Sequence, residues 1–128
     1  MRLLLDTHAL LWWLDGNQRL SALARQSISQ PNADVIVSAA SAWEIATKVR
    51  IGKLPGATLV AEQFTRIITE QAFMQLSISM EHARYAGLMS WEHRDPFDRM
   101  LVAQAKIEKL TLVSNEVAFD RFGISRLW

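Results

Sequence analysis

The sequence predicts an α/β protein, a parallel sheet of four to five strands covered by helices on both faces, in a single domain over residues 1–128. Short apolar runs alternate with helix-like patterns from end to end. Half the residues are hydrophobic, with five Trp and five Phe, enough at 128 residues to fill one core. No repeat, low-complexity tract or Ser/Gly-rich linker divides the chain.

The elements follow in order. Arg2 to Leu5 is an apolar run that reads as the first strand, and a helix carrying Trp12 and Trp13 comes next. In that helix the two rings point to nearly opposite sides, which leaves one of them for solvent or a partner. A second helix occupies Ser21 to Ser29, and Asp34 to Val37 is the second strand. The helix near Trp43 to Arg50 is ended by Gly52 and the turn "KLPG". Val60, Phe64, Ile67, Ile68 and Ala72 recur at i, i+4, i+7, i+8 and i+12, one apolar face of a further helix. Gln75 to Ile78 is the third strand, Glu81 to Met89 and Phe97 to Lys109 are helices, Thr111 to Val113 is the fourth strand, and Ile124 to Leu127 offers a fifth. Crossovers in such a sheet are right-handed, and its ligands gather beyond the carboxyl ends of the strands, where strand order reverses.

Bulk chemistry excludes several function classes. Fourteen basic and thirteen acidic residues leave a formal charge of +1, so any polyanion site has to be local. Without cysteine there are no disulfides, thiolate metal sites or Cys nucleophile, and a reducing compartment is permitted. The stretch "LLLDTHALLWWL" is too short and too polar for a bilayer span or signal segment, so the expectation is a soluble cytoplasmic protein with no membrane partner. Neither GxGxxG nor a P-loop occurs, and "DTH" lacks the second acid of the aspartyl-phosphate signature.

What remains is a set of acids at equivalent places. Asp6 directly follows the first strand; Glu44 lies in the helix after the second; Asp98 opens the helix leading into the fourth; Glu116 comes just past that strand. In a parallel sheet Asp6, Glu44 and Glu116 share the carboxyl edge, and the Asp98 helix, running back along the strand it feeds, can point its N-terminus there. Each acid also has an ordinary explanation. Asp6 can cap a helix, Ser41-x-x-Glu44 is a capping box with Lys48 one turn on, and in "HRDPFDRM" Asp95 caps a helix that Pro96 opens. Glu116 suits a helix N-terminus. Capping does not explain why acids should collect on one edge, where each close pair repels by about 1 to 4 kcal/mol. A divalent cation held by hard oxygen ligands, Mg²⁺ or Mn²⁺, would offset that repulsion and support hydrolysis of a phosphate ester by an activated water. On spacing alone both readings remain open.

The segments "LLLDTHALLWWL", "VSAASAWEIATKVRIGKL", "HRDPFDRMLVAQA" and "LTLVSNEVAFDRFGI" together resemble the PIN domain, specifically the VapC-like toxins of bacterial type II toxin–antitoxin pairs, in the right order over essentially the whole chain. The resemblance implies a three-layer α/β/α sandwich and a Mg²⁺-dependent endoribonuclease, with Mn²⁺ as a possible substitute. It assigns catalysis and metal binding to Asp6, Glu44, Asp98 and Glu116. Glu116 stands where the family usually has Asp, and its extra methylene displaces the carboxylate by about 1 Å, which bears on direct metal contact. Asp120 is a weaker substitute. The resemblance also implies a VapB-like antitoxin laid across the site, an RNA substrate and a homodimer.

Around these acids, Thr7, Asp95, Ser114 and Asn115 are candidates to orient a water or ligand. Lys48, Arg50, Arg94 and Arg99, with Lys53 nearby, are candidates to hold RNA phosphates. His8, His82 and His93 show no metal-ligand spacing and read as surface or packed residues. Two rival functions fit the same fold. One is a non-catalytic binding module that has lost metal through Glu116; the other is a small metal-dependent phosphatase.

Overall fold

The computed structural model describes residues 1–128. Five strands, β1 (Arg2–Leu5), β2 (Asp34–Ser38), β3 (Met74–Leu76), β4 (Thr111–Val113) and β5 (Ser125–Leu127), form one sheet in the order β3-β2-β1-β4-β5. Every pairing is parallel, with Leu3 opposite Val35 on one side and Thr111 on the other. The order reverses at β1, so the crevice between the carboxyl ends of β1 and β4 is the switch point where such sheets bind ligands.

Residue alternation along the strands builds two cores, because successive side chains of a strand point to opposite faces. Leu3, Leu5, Val35, Val37 and Val113 face one way, against Ala9 and Leu10 of α1 (Thr7–Asp15), Ala24 and Ile28 of α2 (Ala22–Ile28) and Ile45 of α3 (Ala39–Arg50). Leu4, Ile36 and Leu112 face the other way, against Leu101, Val102 and Ala105 of α7 (Pro96–Glu108) and against Trp91 and Phe119. The three leucines of β1 are fully buried, as a strand covered on both faces requires. This is the three-layer α/β/α arrangement. No helix is long and apolar enough to cross a membrane.

Several boundaries differ from the sequence expectation. The face built on Val60 to Ala72 is two helices, α4 (Thr58–Glu62) after a 3-10 turn at Pro55–Ala57, and α5 (Phe64–Glu70), because Gln63 leaves the helical region at φ −120°, ψ 33°. Ala72 is not part of that face; it sits in the closing turn at φ 60°, with the Phe73 amide bonded back to the Ile68 carbonyl. That turn starts β3 at Met74 and ends it before Ser77, two residues short of Ile78. Helix α3 begins four residues before Trp43, because Ser38 and not Ser41 is its N-cap, accepting the Ala40 amide at 3.0 Å. Ser41 is therefore no capping box partner of Glu44. Helix α6 (Met80–Leu88) is capped by Ser79, in a box completed by the buried His82 ring.

Candidate active site

The four acids reach one edge by four different routes. Asp6 leaves β1 through an amide bonded to the Val113 carbonyl and caps α1, its Oδ1 accepting the Ala9 amide at 2.7 Å. Glu44 lies in the second turn of α3, buried, with Lys48 Nζ 2.5 Å from its Oε2. Asp98 lies in the first turn of α7, just inside the cap made by Asp95, whose Oδ1 accepts the Phe97 and Asp98 amides at 2.9 and 3.3 Å. Glu116 follows β4 and caps the 3-10 turn Val117–Phe122, its Oε1 accepting the Ala118 amide at 3.2 Å.

All four line a single cavity of about 100 Å³, together with Thr7, His8, Lys48, Asp95, Asn115 and Phe119. Capping and cavity-lining are thus not alternatives. A carboxylate has two oxygens, and at Asp6 and Glu116 the cap engages one of them.

The charges in this cavity are under strain. Burial pushes the Asp6 carboxyl above its ordinary value, against the Ser114 side chain, the Ala9 amide and His8; the Glu44 charge adds to the rise. Burial likewise raises Asp98, to about 6, with Asp95 and Glu44 adding to it and a hydrogen bond from His93 opposing it. Burial alone would lower Lys48, but its bond to Glu44 and the charges of Glu44, Asp95 and Asp98 raise it on balance. Five carboxylates and one lysine leave the cavity short of positive charge.

The neighbouring candidates divide. The Thr7 and Ser41 hydroxyls are 3.0 Å apart and buried, tying α1 to α3. Ser114 is fully buried, and its Oγ accepts the Glu116 amide at 3.0 Å, shaping the turn after β4. Asn115 is exposed at the cavity wall. Arg50 and Arg94 are exposed and outside the cavity lining. Lys53 instead lines a second groove of about 520 Å³ with Arg19, Trp12 and His8.

Arg99 corrects the sequence expectation. Its guanidinium donates to the main-chain carbonyls of Ala86, Gly87, Met89, Trp91 and His93, so it has no donor left for a phosphate. Asp120 is also committed elsewhere, paired with Arg126 at 2.8 and 3.1 Å, and does not replace Glu116. Trp12 and Trp13 are both half-buried: Trp12 packs on His8 and Trp128, while the Trp13 indole donates to Gln71 at 2.9 Å. The exposed tryptophan is Trp43, 57% accessible, with its ring edge-on to Phe97.

Two histidines were missed. His8 lines the cavity, and its place two residues after Asp6 was a usable signal. His93 Nε2 lies 2.8 Å from Asp98 Oδ2, and its ring nitrogen and the Asp95 and Asp98 oxygens fall within 4.8 Å of one another. No periodic spacing announces that contact, because His93 comes from an irregular segment.

Residues 3–124 match the family model of the PIN domain. The chain belongs to the PIN-domain family. This PIN domain is similar in fold to VapBC2 of Rickettsia felis, solved bound to a DNA fragment from their promoter, with a TM-score of 0.68 at 16% identity over 99% of this chain and 98% of that one. VapBC-1 of nontypeable Haemophilus influenzae superposes with a TM-score of 0.68 at 15% identity, covering 99% and 97% of the two chains. VapC20 of Mycobacterium tuberculosis, a sarcin-ricin loop cleaving toxin, gives 0.68 at 13% identity, with 95% of each chain covered. No curated protein sequence matches the chain. At these identities the structural likeness speaks for the fold.

Proposed function

We propose that this PIN domain is a divalent-metal-dependent endoribonuclease and the toxin of a VapBC-type pair. The observation that carries the reading is the convergence of Asp6, Glu44, Asp98 and Glu116 on one small cavity at the switch point of the sheet. The fit to a metal rests on the donors. They are all hard carboxylate oxygens, two of the carboxyls are raised by burial, and one lysine is the sole basic side chain among them apart from His8. That chemistry suits Mg²⁺ or Mn²⁺ and disfavours soft metals. When bound, such an ion supplies an activated water and charge stabilisation at phosphorus.

The chain's own residues prepare that site. Asp6 and Glu44 are held by buried contacts, so they are pre-oriented ligands; Asp98 is steered by His93; Glu116, exposed at the rim, is the adaptable one. Thr7 and Ser114 fix the two strand-end turns from which Asp6 and Glu116 project. Asn115 at the cavity wall is a candidate for RNA contact, with the exposed Arg50 and Arg94 as candidates for more distant phosphates, and the structural relatives named above favour RNA as substrate and a VapB-like antitoxin as partner. A homodimer and a cytoplasmic location belong to the same reading.

The test is Asp6→Asn. The Asn amide keeps an N-cap oxygen for Ala9, so the fold should survive while cleavage of an RNA substrate and carboxylate-dependent Mn²⁺ heat in calorimetry are lost. Retained cleavage in the purified variant refutes the role of Asp6. A wild-type protein without Mn²⁺ heat is a binding module, and one that hydrolyses phosphomonoesters while ignoring internal RNA linkages is a phosphatase.

A further inference from the structure

Residues 89–95 join α6 to α7 with no helix or strand of their own, yet they bring His93 and Asp95 up to Asp98. Such a segment needs its polar main chain satisfied by something other than a ladder. Arg99, one residue beyond Asp98, supplies it. Its Nε donates to Ala86 O at 2.9 Å, Nη1 to Trp91 O at 2.6 Å and His93 O at 3.2 Å, and Nη2 to Met89 O at 2.8 Å and Gly87 O at 3.4 Å. The first and last of these carbonyls lie in the final turn of α6, where helix carbonyls lack intrahelical partners; the other three belong to the loop. Each of these contacts takes one of the few donors a planar guanidinium offers, so the side chain is saturated by one stretch of backbone.

His93 is what this scaffold delivers. Its carbonyl is held by Arg99, its ring stacks on Trp91 with centroids 4.5 Å apart and planes at 26°, and its Nε2 meets Asp98 Oδ2 at 2.8 Å. Trp91 is itself fixed, edge-on to Phe119 and Phe122 at 5.9 and 4.6 Å, and Phe119 lines the acid cavity. One Asp98 oxygen is thereby engaged from outside the cavity, leaving the other for a ligand.

We propose that Arg99 is a positioning residue that, by clamping the main chain of residues 86–93, sets the His93 ring and through it the orientation of the Asp98 carboxylate. The inference rests on the metal-site reading of Asp98. It differs from a plain stability role because it predicts coupling: Arg99 should matter to the metal site only while His93 is present. Lysine keeps the charge but offers a single compact donor centre in place of the planar fork, so Arg99→Lys separates clamping from charge.

The experiment measures Mn²⁺ affinity by calorimetry, RNA-cleavage kcat and KM, and, in the metal-free protein, the NMR signal and solvent exchange of the His93 ring proton. It compares wild type, Arg99→Lys, His93→Ala and the double variant. Expected for Arg99→Lys are a faster-exchanging His93 ring proton, Mn²⁺ affinity lowered about 10- to 100-fold as for other groups that orient a metal ligand, and a fall in kcat with little change in KM. In the His93→Ala background the Arg99 change should add no further loss of affinity. Unchanged Mn²⁺ affinity in Arg99→Lys, or losses that multiply independently in the double variant, overturn the inference and leave the nuclease reading standing. Should Arg99→Lys fail to fold, His93→Ala decides: it must by itself lower Mn²⁺ affinity about 10-fold or more, and unchanged affinity refutes the proposal. A wild type that binds no Mn²⁺ sinks the metal reading itself, and this inference with it.

Discussion

Lys48 Nζ stands 2.5 Å from Glu44 Oε2, one helical turn away, in a cavity whose other charged walls are Asp6, Asp95, Asp98 and Glu116. The lysine is where a cation already sits, so it stabilises the acids in the metal-free protein and competes with any ion that needs Glu44. The pair is half-buried and is worth more than an exposed i, i+4 pair, though each partner has lost solvation to form it.

Lys48→Gln should therefore split stability from affinity. The metal-free protein is expected to melt at lower temperature, while Mn²⁺ binds about fivefold more tightly, the equivalent of roughly 1 kcal/mol for removing the competitor. Calorimetry and thermal unfolding on the same preparation check both. The raised lysine keeps its charge below its ordinary value of 10.5, so its contribution is constant through neutral pH and is lost only as pH rises through its elevated folded value.

Asp98 makes the site sensitive to pH in the same sense but in a more acidic window. Burial, with Asp95 and Glu44, raises its carboxyl from 3.8 to about 6, so between those values the folded protein holds more proton than the unfolded chain. Stability of the metal-free protein then falls as pH rises through that window, and Asp6, raised by burial, acts in the same direction. The difference in melting temperature between wild type and Asp98→Asn should shift in favour of the variant from about pH 4 to about pH 7. Mn²⁺ should raise the wild-type melting temperature more at about pH 7 than at about pH 5, since the ion displaces a proton at the lower pH. A Mn²⁺ shift of equal size at both pH values would count against Asp98 as a ligand.

Asp6→Asn is expected to reduce cleavage by at least about 100-fold, beyond the range seen when only a supporting group is lost. Its metal-free melting temperature should match or exceed that of wild type, because Asn caps a helix as well as Asp and the buried charge is gone. Unfolding scans without metal distinguish this from a folding defect.

Glu116→Gln should be the mildest of the acid changes. Glu116 is exposed, and the amide oxygen of Gln can still accept from Ala118. A loss of about tenfold in Mn²⁺ affinity is expected, against a much larger loss for Asp6→Asn. Equal losses would make Glu116 as direct a ligand as Asp6.

The layered fold and the sharing of one edge by Asp6, Glu44 and Glu116 were legible in the order of residues, because both follow from local chemistry, whereas for Asp98 that order only permitted the same edge. Leu3 to Leu5 is apolar without alternation and so belongs inside a parallel sheet, and acids placed just past strand ends of such a sheet share an edge whatever the loops do. Asp95 before Pro96 announces a cap by the same local logic. Long-range partners were beyond that reach. Nothing in the pattern around Gln63 breaks the helix there, and Ser38 and Ser41 are equally plausible caps until Thr7, far along the chain, engages the latter.

By itself, then, the order of residues determined the class of fold and which carboxylates could meet, since periodicity, capping and strand-end placement act over a few residues. Only the tertiary structure decided which contacts each group makes once there: that Lys48 pairs with Glu44 at the wall of the acid cavity, that Arg99 serves backbone carbonyls and not phosphates, and that His93 meets Asp98. A side chain's last few ångströms depend on contacts made across the whole chain, and those appear only when the chain is folded.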